Sequence, residues 1–470
     1  MSLASELKEV AQYARGELPK ATKWLKELVR HPVQNGTPIA LWLWKAYIRH
    51  PILYTVLGVL SVLSAYAVVW RFAFGLGASS DLSDAYPWGL WIAFKLCLVP
   101  MGGCGFVMAA LVYIFGLEQL RPLVRLGVLC GMLLYSGFVI SLLIDLGLPW
   151  RIYHPIFMWQ PESIMFEIAW CVMLYLTVLI MEFLPNVAER WPTFTAIIRA
   201  TVMAVTVLVG VMIVAVFGKS LAAVGVGCLA VLLIAYGAWR RNWDLWHAMI
   251  IALVIEGIIL STLHQSSLGS LFLITKHKME SLFFTPLIPL FYFLSAITGG
   301  LACVLAIGIG TSWAVRRKIE MPVYSSIARG LPYALAVYLV LRMMDIVLRG
   351  QAFEAFEPKV TTTLLWLEII GGVAVPMALL VIPDVVNSEK GIFWTSVIIV
   401  GGLCFNRFNW SLLAHHPYAI TGRGYFPSFL EIMLSVLVAL FAGLAYVFLV
   451  WTVPVFSEGP LGQKRTTQEA

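Results

Sequence analysis

The chain has 470 residues, of which 60% are apolar and only 12% charged, against about a quarter charged in soluble domains. No core of ordinary proportions hides that much apolar surface from water, so the composition excludes a soluble globule and calls for lipid. The net charge of +7 reflects how Lys and Arg are distributed between the two sides of the membrane, so nucleic acid is not an expected partner.

Residues 1–50 mix Lys20, Lys23, Lys26 and Arg30 with Glu6, Glu9, Glu17 and Glu27. They lack the apolar core and small-residue cleavage site of a signal peptide, and read as an amphipathic segment on the cytoplasmic surface. Trp42, Trp44 and Lys45 suit a helix at the interface that feeds the first span. Runs long enough to cross hydrocarbon, about 20 residues each, follow at 51–74, 88–116, 123–146, 162–185, 194–217, 219–239, 243–264, 284–312, 327–349, 360–384, 391–410 and 426–453. Between 194 and 264 only Gly218-Lys219 and Arg240-Arg241 punctuate the apolar pattern. The runs lack apolar/polar alternation and are twice the length of barrel strands. The expected fold is all-α, a polytopic membrane protein of about twelve transmembrane helices, with a cytoplasmic tail at 454–470.

Alternate gaps collect the basic residues: Arg121 and Arg125, Arg190 and Arg199, Arg240 and Arg241, Arg316 to Lys318 with Arg329, then Lys390 and finally Lys464 and Arg465. The positive-inside rule places these gaps and both termini in the cytoplasm. The opposite loops, at 75–87, 147–162, 265–283, 350–360 and 411–425, are richer in aromatics and Pro and are expected outside.

The seven cysteines all lie in expected spans and form no C-x-x-C pair, haem-attachment motif or iron–sulfur run. Of the eight histidines only His247 and His264 share a span, and 17 residues of helix separate them by about 25 Å. Two such residues cannot ligate one haem, so no haem and no cluster is expected in this chain.

Ionisable groups in hydrocarbon are costly and are the natural candidates for chemistry. Lys95, Asp145, Glu167, His264, Arg342, Asp345, Glu368, Arg407 and Glu431 fall in the outer third of the expected spans, while Glu256 is deeper. A polar layer near one leaflet suggests a site there, served by a proton route. Duller readings stand beside this one. Arg342 and Asp345, three apart, also fit a structural ion pair; Asp145 and Glu431 fit solvated helix ends; Lys95 fits packing against Glu167 or another acid. Glu167 and His264 are the stronger functional candidates because each adjoins a polar loop.

Several strings resemble the NrfD/polysulfide-reductase family of integral membrane subunits, nearest to the HybB type of periplasmic nickel–iron hydrogenases. They are Phe74-Gly75-Leu76-Gly77, Tyr86-Pro87-Trp88-Gly89-Leu90-Trp91-Ile92-Ala93-Phe94, Ile144-Asp145-Leu146-Gly147, Ser163-Ile164-Met165-Phe166-Glu167, Leu263-His264-Gln265-Ser266-Ser267-Leu268-Gly269-Ser270-Leu271, Trp366-Leu367-Glu368 and Gly424-Tyr425-Phe426-Pro427-Ser428. The resemblance runs in order over 70–450. It implies a haem-free, quinone-reactive subunit of a respiratory oxidoreductase in the bacterial cytoplasmic membrane, built from two four-helix bundles. The spans 88–116, 123–146, 162–185 and 243–264 would form the first, with Glu167, His264, Asp145 and Tyr135 near menaquinone or ubiquinone; Lys95, in the same bundle, is expected as a further quinone contact of this sequence's own. Spans within 284–410 would form the second, with Arg342, Asp345, Glu368 and Arg407, joined by Glu256, on a proton path. The implied partner is an external ferredoxin-like iron–sulfur subunit, a multihaem cytochrome c or a catalytic oxidoreductase subunit.

The sequence departs from the family pattern in three places. Lys95 stands where relatives often carry an acid, Ala306-Ile307 occupies a common acidic position, and 194–239 holds an additional helical pair. A hydrogenase is therefore one candidate partner among several. Two other readings are a twelve-span secondary transporter, for which no internal repeat is seen, and a structural membrane anchor without a quinone site.

Overall fold

The computed structural model describes residues 51–83, 86, 88–218, 245–415 and 425–456. The N-terminal segment 1–50, the expected span 219–239 and most of the tail lie outside the described residues. Eleven helices among the described residues are long and apolar enough to cross a membrane. They are α1 (Pro51–Phe74), α2 (Leu90–Ile114), α3 (Arg121–Asp145), α4 (Ile164–Arg190), α5 (Thr195–Phe217) and α6 (Leu245–Ile274), followed by α7 (Ile288–Ala314), α8 (Met321–Leu348), α9 (Val360–Leu379), α10 (Glu389–Leu413) and α11 (Phe429–Thr452). The fold is all-α and polytopic. Helices dominate because lipid offers backbone N–H and C=O groups no partner outside their own segment.

The expected spans match these helices closely, with one consequential difference. The seventh run was expected to end at His264, but α6 continues ten residues further, to Ile274. The string Gln265-Ser266-Ser267 reads as a polar loop, yet its hydroxyls do not compete with the helix. Ser266, Ser267 and Ser270 donate back to the carbonyls of Thr262, Leu263 and Ser266, at 2.9, 2.8 and 3.2 Å. His264 is consequently about 15 Å from the end of its helix. The outer segment expected at 265–283 is thereby cut to the residues after 274, and the one expected from 411 starts beyond Leu413.

Helices α2, α3, α4 and α6 pack in sequence around one closed ring, and α7, α8, α9 and α10 around another. The rings join where α2 meets α7 and α10, and where α6 meets α7. Glycine makes these junctions close: a Cβ on Gly300 of α7 would stand 2.8 Å from the Cys104 nitrogen of α2. Likewise, a Cβ on Gly402 of α10 would lie 2.3 Å from the Gly372 Cα of α9. Small residues let backbones touch in this way when no hydrophobic effect pulls helices together. Helix α2 is central, with 72% of its most apolar window buried, whereas α1, at 11%, turns most of its surface to lipid. Helices α1 and α11 pack on each other, α11 also packs on α3, and α5 covers α4 and α6.

The connections divide the molecule into a loop-rich face, with described segments 75–83, 88–89, 146–163, 275–287, 349–359, 414–415 and 425–428, and a short-turn face at 115–120, 191–194, 315–320 and 380–388. Among the described residues, three helices contain π-helical turns, at Ala110–Ile114, Leu367–Ala374 and Asn409–Leu413. Such turns insert one residue and re-aim side chains, and they are common at functional sites.

Candidate functional site

Two buried polar clusters occupy the two rings. In the first, His264 of α6 is fully buried, with its ring centroid 5.5 Å from Tyr135 and 5.5 Å from Phe138, both on α3. Tyr135 is also fully buried and packs edge-on against Tyr175 of α4 at 4.6 Å. Room for Tyr135 comes from Gly102 of α2, where a Cβ would stand 2.7 Å from the phenol ring. Gln265 ties α6 to α2 by donating to the Val99 carbonyl at 3.0 Å.

Among the described residues, both His264 ring nitrogens are buried without a hydrogen-bond partner, beside the buried hydroxyls of Tyr135, Tyr175 and Ser261 and Gln265 Oε1, where Tyr135 meets Ser261 and Gln265 and Tyr175 meets Ser261. Each unsatisfied buried group costs about 1–3 kcal/mol. These groups, gathered from α3, α4 and α6, make a place for a polar guest, whether water or the carbonyl of a ligand. One turn along α6 from His264, Ser267 approaches Glu167 of α4 to 2.5 Å. Glu167 is half-buried in the first turn of α4, toward the loop-rich face. The structure thus joins Glu167 to the helix that carries His264.

Lys95 and Asp145 form a salt bridge between α2 and α3, with side chains 5% and 14% exposed. Lys95 therefore pairs with Asp145 and not with Glu167, and Asp145 is ion-paired where a solvated helix end was expected. Arg71 of α1, also buried, donates to the terminal carbonyls of α3 at Ile144 (2.7 Å) and Leu146 (2.6 Å). A guanidinium there satisfies orphan carbonyls and complements the negative end of the helix dipole. This ionic group sits two turns, about 10 Å, nearer the loop-rich face than Phe138, so it borders the His264 pocket without forming part of it.

Glu431 was also expected to be solvated, but it is completely buried. It accepts hydrogen bonds from the Asp81 and Ser428 N–H groups and from the Tyr425 hydroxyl, at 3.1, 2.8 and 2.6 Å. Tyr425 in turn accepts from the Leu90 N–H at 2.7 Å. One carboxylate thereby latches the start of α11 to the loop that leads into α2.

The second cluster contains four of the expected residues. Glu368, aimed inward by the α9 π turn, accepts from Asn406 at 2.6 Å and from Asn409, in the α10 π turn, at 2.8 Å. Arg407 lies 3.6 Å over the Tyr292 ring and donates to Ser295 at 2.7 Å and to Asn406 at 2.6 Å. Arg342 stacks over Phe291 and Trp410 at 5.4 and 5.1 Å and contacts Asp345 at 3.5 Å, with no hydrogen bond on its three nitrogens among the described residues. Asp345 accepts instead from Thr285 (2.6 Å) and Arg349 (3.1 Å). A cavity of about 30 Å³, lined in part by Ser295, Thr298, Tyr338, Glu368 and Asn406, is large enough for a water molecule beside Glu368.

Glu256 joins neither cluster. It faces α5, where a Cβ on Gly210 would stand 3.0 Å from its carboxylate. The residues missed by sequence reasoning include Arg71, Tyr175, Ser267 and Glu182. For Arg71 and Glu182 the available signal was a lone charge inside an apolar run.

Helices α2, α3 and α4 carry no histidine, and the two in the α6 range are His247 and His264, about 25 Å apart.

Residues 78–414 match the family described as Polysulphide reductase, NrfD. A protein of Nitratidesulfovibrio vulgaris (strain Hildenborough) is 29% identical over 415 residues, 86% of this chain and 94% of the relative. The probable Ni/Fe-hydrogenase 2 b-type cytochrome subunit of Escherichia coli K12 is 26% identical over 408 residues, 85% of this chain and 91% of its own. The menaquinone reductase integral membrane subunit of N. vulgaris is 24% identical over 421 residues, 85% and 90% of the two chains.

Proposed function

The chain belongs to the NrfD polysulphide reductase family, and from that membership and the His264 cluster we propose that it is the quinone-reactive membrane subunit of a respiratory oxidoreductase. The observation that carries this reading is the buried polar cluster around His264, whose two ring nitrogens have no partner among the described residues, within one helical turn of the Ser267–Glu167 contact. A quinone needs a donor for each carbonyl oxygen, an apolar slot for its ring and tail, and a carrier for two protons. A neutral imidazole carries one N–H and Tyr135 a phenolic O–H, so His264 and Tyr135 supply the two donors. Phe138 supplies an apolar wall. Glu167 holds a proton beside the pocket and passes it to or from the quinone.

In this reading the loop-rich face is outside, following the basic residues on the short turns, and the membrane is the bacterial inner membrane. Exposed aromatics such as Trp150, Phe157, Phe353 and Phe356 on that face would meet an iron–sulfur or multihaem partner, since aromatic residues are enriched in protein interfaces. Electrons pass between that partner and menaquinone or ubiquinone. The Lys95–Asp145 pair holds α2 against α3 at the rim of the pocket. The second cluster, with its buried Glu368 between Arg342 and Arg407 and its water-sized cavity, is read as a proton-conducting element. The E. coli relative is named a b-type cytochrome subunit, but the histidine placement here favours a haem-free chain.

The test is isolation of the protein with its native partners, followed by identification of every subunit, cofactor and lipid-soluble quinone. Bound quinone, redox subunits and no Soret band from this chain are expected. A preparation without redox partners, or a stoichiometric b-haem on this subunit, would overturn the reading.

A further inference from the structure

We propose that Glu182 of α4 is the acid through which the His264 pocket exchanges protons with the short-turn face, by way of Tyr175 and Tyr135. The inference rests on the quinone-site reading above and adds to it a proton donor and a side of the membrane.

Glu182 lies eight residues from the end of α4, about 12 Å from the short-turn face. It sits inside an apolar span, and no described cation forms a salt bridge with it. Its carboxylate and the Tyr175 ring face the same notch on α6. The position that a Gly257 Cβ would occupy is 3.6 Å from Glu182 Oε1 and 3.8 Å from Tyr175 Cε2. The nearest atom to that position is Val178 Cγ1, at 3.1 Å, and the absence of a Cβ on Gly257 lets the three side chains gather there.

Glu182 also interacts electrostatically with two tyrosines, one on each side of it. Tyr113, in the π turn that ends α2, lies under the Arg121 guanidinium at 5.7 Å, and Arg121 pairs with exposed Glu118 at the short-turn face. Tyr175 lies two turns, about 10 Å, in the other direction, where its buried hydroxyl and its contact with Tyr135 lead to His264. A column of titratable or hydroxyl-bearing side chains thus runs from Glu118, Arg121 and Tyr113 through Glu182, Tyr175 and Tyr135 to the pocket. Proton transfer over the step along α4 requires one or two bridging waters.

Reduction of one quinone takes two electrons from the partner and two protons, one for each carbonyl oxygen. Glu182 releases a proton toward Tyr175 and regains one from water at the short-turn face, and quinol oxidation runs the same path backwards. Electrons and protons then reach the pocket from opposite sides, so turnover separates charge across the membrane.

The experiment reconstitutes the complete complex with its native partner in vesicles, with pH indicators trapped inside and added outside. Glu182→Gln is expected to lower quinone turnover at least tenfold, while assembly, the partner's own dye-linked activity and quinone affinity are unchanged. Glu182→Asp is expected to restore part of the rate, and Tyr175→Phe to lower it. Dicyclohexylcarbodiimide, which modifies protonated carboxyls in apolar surroundings, should label Glu182 of the unmodified protein in step with inhibition, so the result does not depend on a variant folding. Turnover of Glu182→Gln within twofold of wild type, proton uptake at the loop-rich face, or labelling of Glu182 without inhibition would each overturn the proposal. Failure of the wild-type complex to turn over quinone would instead remove the reading on which it rests.

Discussion

Ser267 Oγ on α6 stands 2.5 Å from Glu167 Oε1 on α4 and 2.8 Å from its own helix's Leu263 carbonyl. A hydroxyl has one hydrogen, so it donates to one of the two at a time. When Glu167 is ionised, Ser267 donates to it. When Glu167 carries a proton, the acid donates to Ser267 and the serine turns its hydrogen to Leu263. Both states are satisfied without moving a heavy atom, as a proton carrier requires.

Glu167→Gln keeps the size and one donor but loses the exchangeable proton, so quinone turnover should fall at least tenfold in an assembled complex. Ser267→Ala removes one hydrogen bond of about 0.5–1.5 kcal/mol, which predicts an effect of roughly 2- to 12-fold. Steady-state turnover measured alongside subunit stoichiometry decides between this role and a structural one. Equal rates for wild type and Glu167→Gln would place proton transfer elsewhere.

His264→Ala should weaken quinone binding. Loss of one buried hydrogen bond to a ligand is worth roughly 1–3 kcal/mol, or about 5- to 150-fold in affinity. Titration of the purified complex with a quinone analogue measures it. Unchanged affinity in a complex that still assembles would shift attention to the cluster around Arg342, Asp345 and Glu368.

The buried Lys95–Asp145 pair should act on stability more than on rate. Lys95→Met leaves Asp145 without its ion partner, and breaking a buried pair costs about 3–5 kcal/mol. The lower end is expected because Asp145 keeps some exposure and Arg71 stands nearby. The double variant Lys95→Met/Asp145→Leu should recover much of the thermal stability. A double variant less stable than either single one would show that the pair does more than hold α2 to α3.

Topology predicts opposite labelling of two exposed positions. A cysteine replacing Phe157, 76% exposed on the loop-rich face, should react with an impermeant maleimide from outside intact cells. One replacing Asp384, on the short-turn face, should react only after the membrane is opened. The reverse pattern would invert the protein and exchange the sides assigned to electrons and protons.

The sequence by itself determined the class and most of the spans, because hydrocarbon leaves the backbone of an apolar run little choice but a helix of set length. It also singled out His264 and Glu167, since ionisable groups in lipid are expensive enough to be conspicuous. It misjudged the end of α6 because serine hydroxyls look like a loop in composition yet bond to their own helix. Only the tertiary structure decided which groups meet. Lys95 and Asp145 are 50 residues apart in the chain, and Glu167 and Ser267 are 100 apart. Such pairings depend on the rotation of each helix about its axis, which a nearly uniform apolar surface does not encode. Close contacts between backbones, as at Gly300 with Cys104 and Gly372 with Gly402, and the π turns that swing Glu368 and Asn409 toward each other set that rotation.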